Sequence, residues 1–128
     1  MGFELDGAMN ELNDILTDLA ENNVGKKSVI LRKVTLDVLT QTVKNTRVDT
    51  GALRNNWQVS RNVRNKSENL TFNGKGVRGS VAPQRMIINK IAPDDVVYIQ
   101  NNLEYAETWE KRDHMLKNAV NKVIGDLS

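Results

Sequence analysis

The chain has no cysteine, a single histidine, and no apolar run approaching the roughly 20 residues that a membrane span needs. The missing cysteines exclude a disulfide framework and a thiolate metal site. A lone histidine excludes a histidine-based metal cluster, and His114 stands beside the charged stretch Glu110-Lys111-Arg112-Asp113, where it reads as an ordinary residue at a helix start. Internal repeats and low-complexity segments are also lacking. The opening MGFELDGAMNEL carries acids where a secretory signal would carry Lys or Arg, so the expectation is a cytosolic product. The Asn-x-Ser/Thr sequons at Asn65 and Asn69 then read as chance.

What is present fits a single domain over residues 1–128, an acidic helix over 1–25 followed by a core over 26–126. Net charge is only +2, but it is unevenly laid out. Residues 1–25 hold six acids and no base, a balance of −6. Residues 26–90 hold fourteen bases and three acids, a balance of +11, and residues 91–128 hold four bases and seven acids, a balance of −3. Such asymmetry suits an oriented field whose basic middle faces something acidic. It also suits a solvated mixed surface whose ends pair with the middle, or acidic ends packed on a neighbouring copy's basic middle.

Periodicity gives the element types. Leu5, Ala8, Met9, Leu12, Ile15, Leu16 and Leu19 recur at helical spacing with acids on the outer face, and Asn22-Asn23-Val24-Gly25 ends that helix. A second helix of about 20 residues, from Lys26 to near Thr46, spans roughly 30 Å at 1.5 Å per residue. From Trp57 the period switches to two, predicting a half-buried strand through Val59 towards Val63. Leu70-Thr71-Phe72, Met86-Ile87-Ile88 and Val96-Val97-Tyr98-Ile99 are the other strand candidates. Residues 104–126 return to helical spacing. The expected fold is therefore α+β: two N-terminal helices, a small, mainly antiparallel sheet with a long flexible basic loop, and a C-terminal helix packed on the sheet.

The chemical motifs are weak. Gly74-Lys75-Gly76-Val77-Arg78-Gly79 fits G-x-G-x-x-G by letter, but Ser80-Val81-Ala82-Pro83 follows instead of a helix opening on a pyrophosphate. A mobile cationic loop is the better reading, and its tip, if it touches anything, touches a phosphate backbone or an acidic partner. Asp94-Asp95 reads as a turn after Pro93 rather than a catalytic carboxylate pair. Trp57, Tyr98, Tyr105 and Trp109 are too scattered for a base-stacking platform and are assigned to the core. No catalytic, cofactor or metal residues are assigned, and the chain is not read as an enzyme.

The most informative stretch is Val48-Asp49-Thr50-Gly51-Ala52-Leu53-Arg54-Asn55-Asn56-Trp57. Asp49 and Thr50 are good caps and Gly51 permits a sharp turn, so the segment is expected to redirect the chain from helix to strand, with Arg54 outward and Trp57 inward. Its pattern of Val48, Asp49, Thr50, Gly51, Leu53, Arg54 and Trp57 resembles the hallmark of the neck or tail-completion (head–tail joining) proteins of long-tailed bacteriophages, of the tail-component type. A second segment, with Tyr98, Asn102, Tyr105, Ala106 and Glu110, is similar to that family's approach to its C-terminal helix. Two departures accompany the likeness: Glu110 runs directly into Lys111-Arg112-Asp113-His114 without a Gly-containing loop and an Ala-Pro, and residues 73–90 do not align.

The resemblance implies a virion structural protein at the neck or the head-proximal end of the tail. It implies a closed homo-oligomeric ring of six copies around the DNA channel. Its partners would be a head-completion (stopper) or connector protein, the tail terminator and the tail tube, with non-specific contact to genomic DNA and none to membrane. Val48, Asp49, Thr50 and Arg54 would hold the turn or a subunit contact, and Lys75, Arg78 and Arg85 would face the lumen or a neighbouring ring. A tail-terminator or head-connector ring subunit is the alternative, and a small basic DNA-binding protein a more distant one.

Overall fold

The computed structural model describes residues 13, 14, 17, 27–47, 51–63, 76–103 and 105–127. The organising element is helix α1, Lys27–Asn45. It buries Leu31, Val34, Thr35, Val38, Leu39, Thr42 and Val43 along one face, three and four residues apart. Near its C-terminal end two buried threonines, Thr42 and Thr46, satisfy their hydroxyls one turn back, whereas the buried Thr35 hydroxyl has no hydrogen-bond partner among the described residues. Thr42 Oγ1 donates to the Val38 carbonyl and Thr46 Oγ1 to the Thr42 carbonyl, both at 2.7 Å.

A one-turn helix α2, Ala52–Asn55, leads into strand β1, Trp57–Arg61. Strand β2, Val97–Asn101, pairs with it antiparallel, in a register that sets Trp57 against Asn101 and Arg61 against Val97. Between the strands lie α3 (Val77–Val81), a 3-10 turn (Ala82–Gln84) and α4 (Arg85–Ile88). After β2 come α5, Ala106–Asp113, and α6, Met115–Leu127. Asn13, Asp14 and Thr17 are helical. Helices with a two-stranded antiparallel sheet make the fold α+β.

Both described strands have their outer edges engaged by side chains. The Val59 N–H donates to Gln84 Oε1 at 2.9 Å, so the helical connection closes the β1 side. Asn13 serves both groups of Val97, its Nδ2 donating to the carbonyl at 3.0 Å and its Oδ1 accepting from the N–H at 3.3 Å. An amide side chain thereby takes the place of a neighbouring strand and blunts an edge that would otherwise invite pairing.

Four expectations are corrected. Met86-Ile87-Ile88 is helical rather than extended: Ile88 is buried and Met86 exposed, and Val81, Ile88 and Ile91 reach the core at helical spacing. Three adjacent apolar residues do not distinguish the two periods. The same helices replace the described part of the basic loop, placing Arg78 in α3 and Arg85 at the start of α4. The C-terminal segment is two helices, because His114 adopts φ 50°, ψ 46° and breaks it. Its longer piece, α6, packs chiefly along α1, burying Met115, Leu116, Ala119, Val120 and Val123. The strand expected at 70–72 lies outside the described residues.

Candidate functional site

The corner after α1 is assembled from polar side chains that serve main-chain groups. Gly51 has φ 90°, a left-handed conformation that glycine adopts without a Cβ clash. Once the chain has turned, Asn55 Nδ2 donates back to the Gly51 carbonyl at 2.8 Å and Asn56 Nδ2 to the Ala52 carbonyl at 2.9 Å. Arg54 does not point outward as expected. It is half-buried, with Nε donating to the Thr46 carbonyl at 3.0 Å, so its charge sits on the C-terminal end of α1, where the helix dipole favours a cation. Trp57 is fully buried, and its indole N–H donates to Thr46 Oγ1 at 2.8 Å. Thr46 thus relays the end of the helix to the first residue of the sheet. Val48, Asp49 and Thr50 lie outside the described residues.

The second motif meets the first. Asn101, opposite Trp57 in the sheet, donates from Nδ2 to the Leu53 carbonyl at 2.8 Å and accepts from the Leu103 N–H at 3.2 Å. Asn102 Oδ1 accepts from Gln100 Nε2 at 2.9 Å, and Tyr98 is half-buried in β2. Ala106 is buried, whereas Tyr105 is 44% exposed and belongs to the surface rather than the core.

Glu110 is almost wholly buried, and both its oxygens are spoken for: Oε1 accepts from the Leu116 N–H at 2.9 Å and Oε2 from the Lys117 N–H at 3.1 Å. One carboxylate from α5 therefore caps the open N-terminus of α6, where free amides and the helix dipole both favour an anion. The left-handed His114 makes the geometry possible, its N–H donating to the Glu110 carbonyl at 2.8 Å. A single corner residue thus joins the two helices, with no longer loop between them.

Beside these corners Trp109 is half-buried, with the Arg47 guanidinium 4.0 Å and that of Arg112 5.4 Å from its ring centre. Arg47 Nε also meets Asp113 Oδ2 at 3.1 Å, tying the end of α1 to the end of α5. At the other end of the sheet Asp95 accepts from the Ala92 N–H at 2.7 Å, from Asn62 Nδ2 at 2.9 Å and from Arg61 Nε at 2.7 Å. The main-chain bond to Ala92, then the Asn62 amide, with Arg61 adding to both, hold its carboxyl below the usual range against a modest opposing effect of burial. Asp95 is thus a structural anion in a turn. Arg78 and Arg85 are exposed, and Lys75 lies outside the described residues.

Sequence reading missed Thr46, Arg47, Asn55, Asn56 and Asn101 as participants. The only signal for them was an unusual density of Asn and Thr flanking the glycine turn, which becomes legible once β2 is known to lie alongside. Among the described residues no group of three or more His, Cys, Asp or Glu is arranged to hold a metal ion, and no helix is long and apolar enough to cross a membrane.

No curated protein and no solved structure matches the chain significantly. A family model does, over residues 10–111, a span that holds both motifs, the long helix and the sheet. Its description is "Bacteriophage HK97-gp10, putative tail-component", and the chain belongs to this HK97-gp10-like family of phage tail components.

Proposed function

We propose that this tail component is a neck or tail-completion subunit, which joins the tail to the DNA-filled head as a ring of six copies around the DNA channel. The observation that carries the reading is the family match over residues 10–111, which makes the chain a phage tail component and implies a place in the virion. Its charge layout supports ring assembly. A surface acidic at one end of the chain and basic in its middle suits heterologous contacts, in which one patch meets a different patch on the next copy.

The motif residues have an architectural part in this reading. Gly51, Arg54, Trp57, Asn101 and Glu110 lock helices and sheet into one rigid unit, which a ring subunit under load requires. Exposed Tyr105, with Arg47 and Arg112 on Trp109, offers the aromatic and arginine surface typical of subunit contacts. Arg78, on the exposed helical connection, would touch phosphates of passing DNA without reading sequence, and the exposed Arg85 would face a neighbouring subunit.

The test is imaging of particles from a phage lacking this gene beside the parent. The expected result is DNA-filled heads and finished tails lying apart, joined again when purified protein is added. Normal infectious particles would overturn the neck assignment. Tails of uncontrolled length would move the protein to the tail terminator instead.

A further inference from the structure

The outer face of α1 is not bare. With α6 and the start of α4 it forms an open groove of about 500 Å³, lined by four basic residues, two acids and an apolar floor of Leu36 and Val123. Two of the bases are matched within their own helices: Lys33 lies 3.0 Å from Asp37, and Lys122 lies 3.8 Å from Asp126. Lys44 and Arg85 are exposed and have no such partner among the described residues. The groove therefore offers two unmatched cations beside an apolar strip, flanked by carboxylates.

We propose that this groove receives the acidic N-terminal segment of a second copy of the chain, in a repeating head-to-tail contact; this rests on the ring assembly proposed above. Charge complementarity identifies the occupant. Residues 1–25 hold six acids and no base, spaced three and four apart at Glu11, Asp14, Asp18 and Glu21 and interleaved with apolar residues. The described part of that segment presents its acid outward: Asp14 is exposed, while Asn13 is fastened to Val97.

Among the described residues, the N-terminal segment of the same chain lies away from this groove. Asn13 and Thr17 line a small cavity with Leu31 and 93–96, on the buried side of α1, whereas Lys33, Asp37 and Lys44 lie on the opposite side of that helix. Two complementary patches on opposite sides of one subunit generate a heterologous contact, the kind that closes into a ring. Nucleic acid suits the groove less well, because Asp37 and Asp126 line it and would repel phosphates, whereas an amphipathic protein segment also uses the Leu36–Val123 floor.

The absence of cysteine makes the test clean. The variant Asp14→Cys/Lys44→Cys is supplied to particles lacking the gene and also studied as purified protein, each under mild oxidation. A ladder of covalent multimers is expected, whereas either single variant stops at dimers. Separately, Lys44→Glu/Arg85→Glu should weaken self-association about tenfold at low salt, and adding Asp14→Lys/Asp18→Lys should restore it. All these positions are surface or N-terminal, and an unchanged thermal melt controls for folding.

No ladder in particles that still show a neck ring, with association unmoved by charge reversal, would overturn the groove contact and leave the ring standing. Monomers in intact particles would overturn both. Loss of duplex DNA binding on charge reversal, without any ladder, would assign the groove to phosphates instead.

Discussion

The corners at Gly51 and His114 answer the same problem with opposite chemistry. Each turns the chain through one left-handed residue, at φ 90° and φ 50°, and each sits at the end of a helix whose terminal main-chain groups need partners. After α1 the groups are carbonyls, and the chain supplies donors: the Arg54 guanidinium to Thr46 at the helix end, and the amides of Asn55, Asn56 and Asn101 to Gly51, Ala52 and Leu53 in the turn that follows. Before α6 they are amides, and it supplies a buried carboxylate, Glu110. The polarity of a helix end thus selects the residue type that can close it. The Gly51 corner distributes the work over one guanidinium, several neutral amide bonds and one large ring, whereas the His114 corner rests on a single charged group.

Breaking the first corner should cost most. Trp57→Ala removes a fully buried indole and its hydrogen bond to Thr46 Oγ1, for a loss of about 3–5 kcal/mol in denaturant unfolding. At the second corner, Glu110→Ala should cost about 2–3 kcal/mol through two unsatisfied amides. Glu110→Gln keeps the volume but turns one acceptor into a donor, so it should lose most of the same amount; stability close to the parent would show that the charge is not what closes the helix. Gly51→Ala should cost about 1–2 kcal/mol, the penalty of a Cβ in the left-handed region. His114→Gly should change stability by less than about 1 kcal/mol, since relief of strain offsets a freer unfolded chain.

A third corner adds a pH-dependent effect, because there a carboxylate serves a turn rather than a helix. The folded-state pKa of Asp95 lies below its unfolded value, so its contribution is present at neutral pH and is lost as pH falls below the ordinary carboxylate range, through the folded value. Asp95→Asn should flatten that acid limb of the stability curve and lower stability at pH 7 by about 1 kcal/mol. An unchanged acid limb would place the dependence on other carboxylates.

Long periodic features were legible without coordinates: the apolar face of α1, the half-buried strand from Trp57, and the strand through Val97-Tyr98-Ile99. Met86-Ile87-Ile88 was not, because its burial is set by where α1 and β1 leave room, not by local preference. The two motifs could be seen but not their union, since Asn101 and Leu53 are 48 positions apart. Nor could the burial of Glu110 be foreseen, because only the reversal at His114 turns the next helix's open amides towards it.

By itself the sequence determined the types of the long elements, the segregation of charge and the family, because these depend on period, composition and motif spacing along the chain. Tertiary structure alone decided that Arg54 folds back onto α1, that Tyr105 stays at the surface, and that Lys44 and Arg85 line one groove, unmatched among the described residues. The physical reason is that a side chain's partner is fixed by which distant backbone comes within about 3 Å of it. That proximity belongs to the folded chain as a whole.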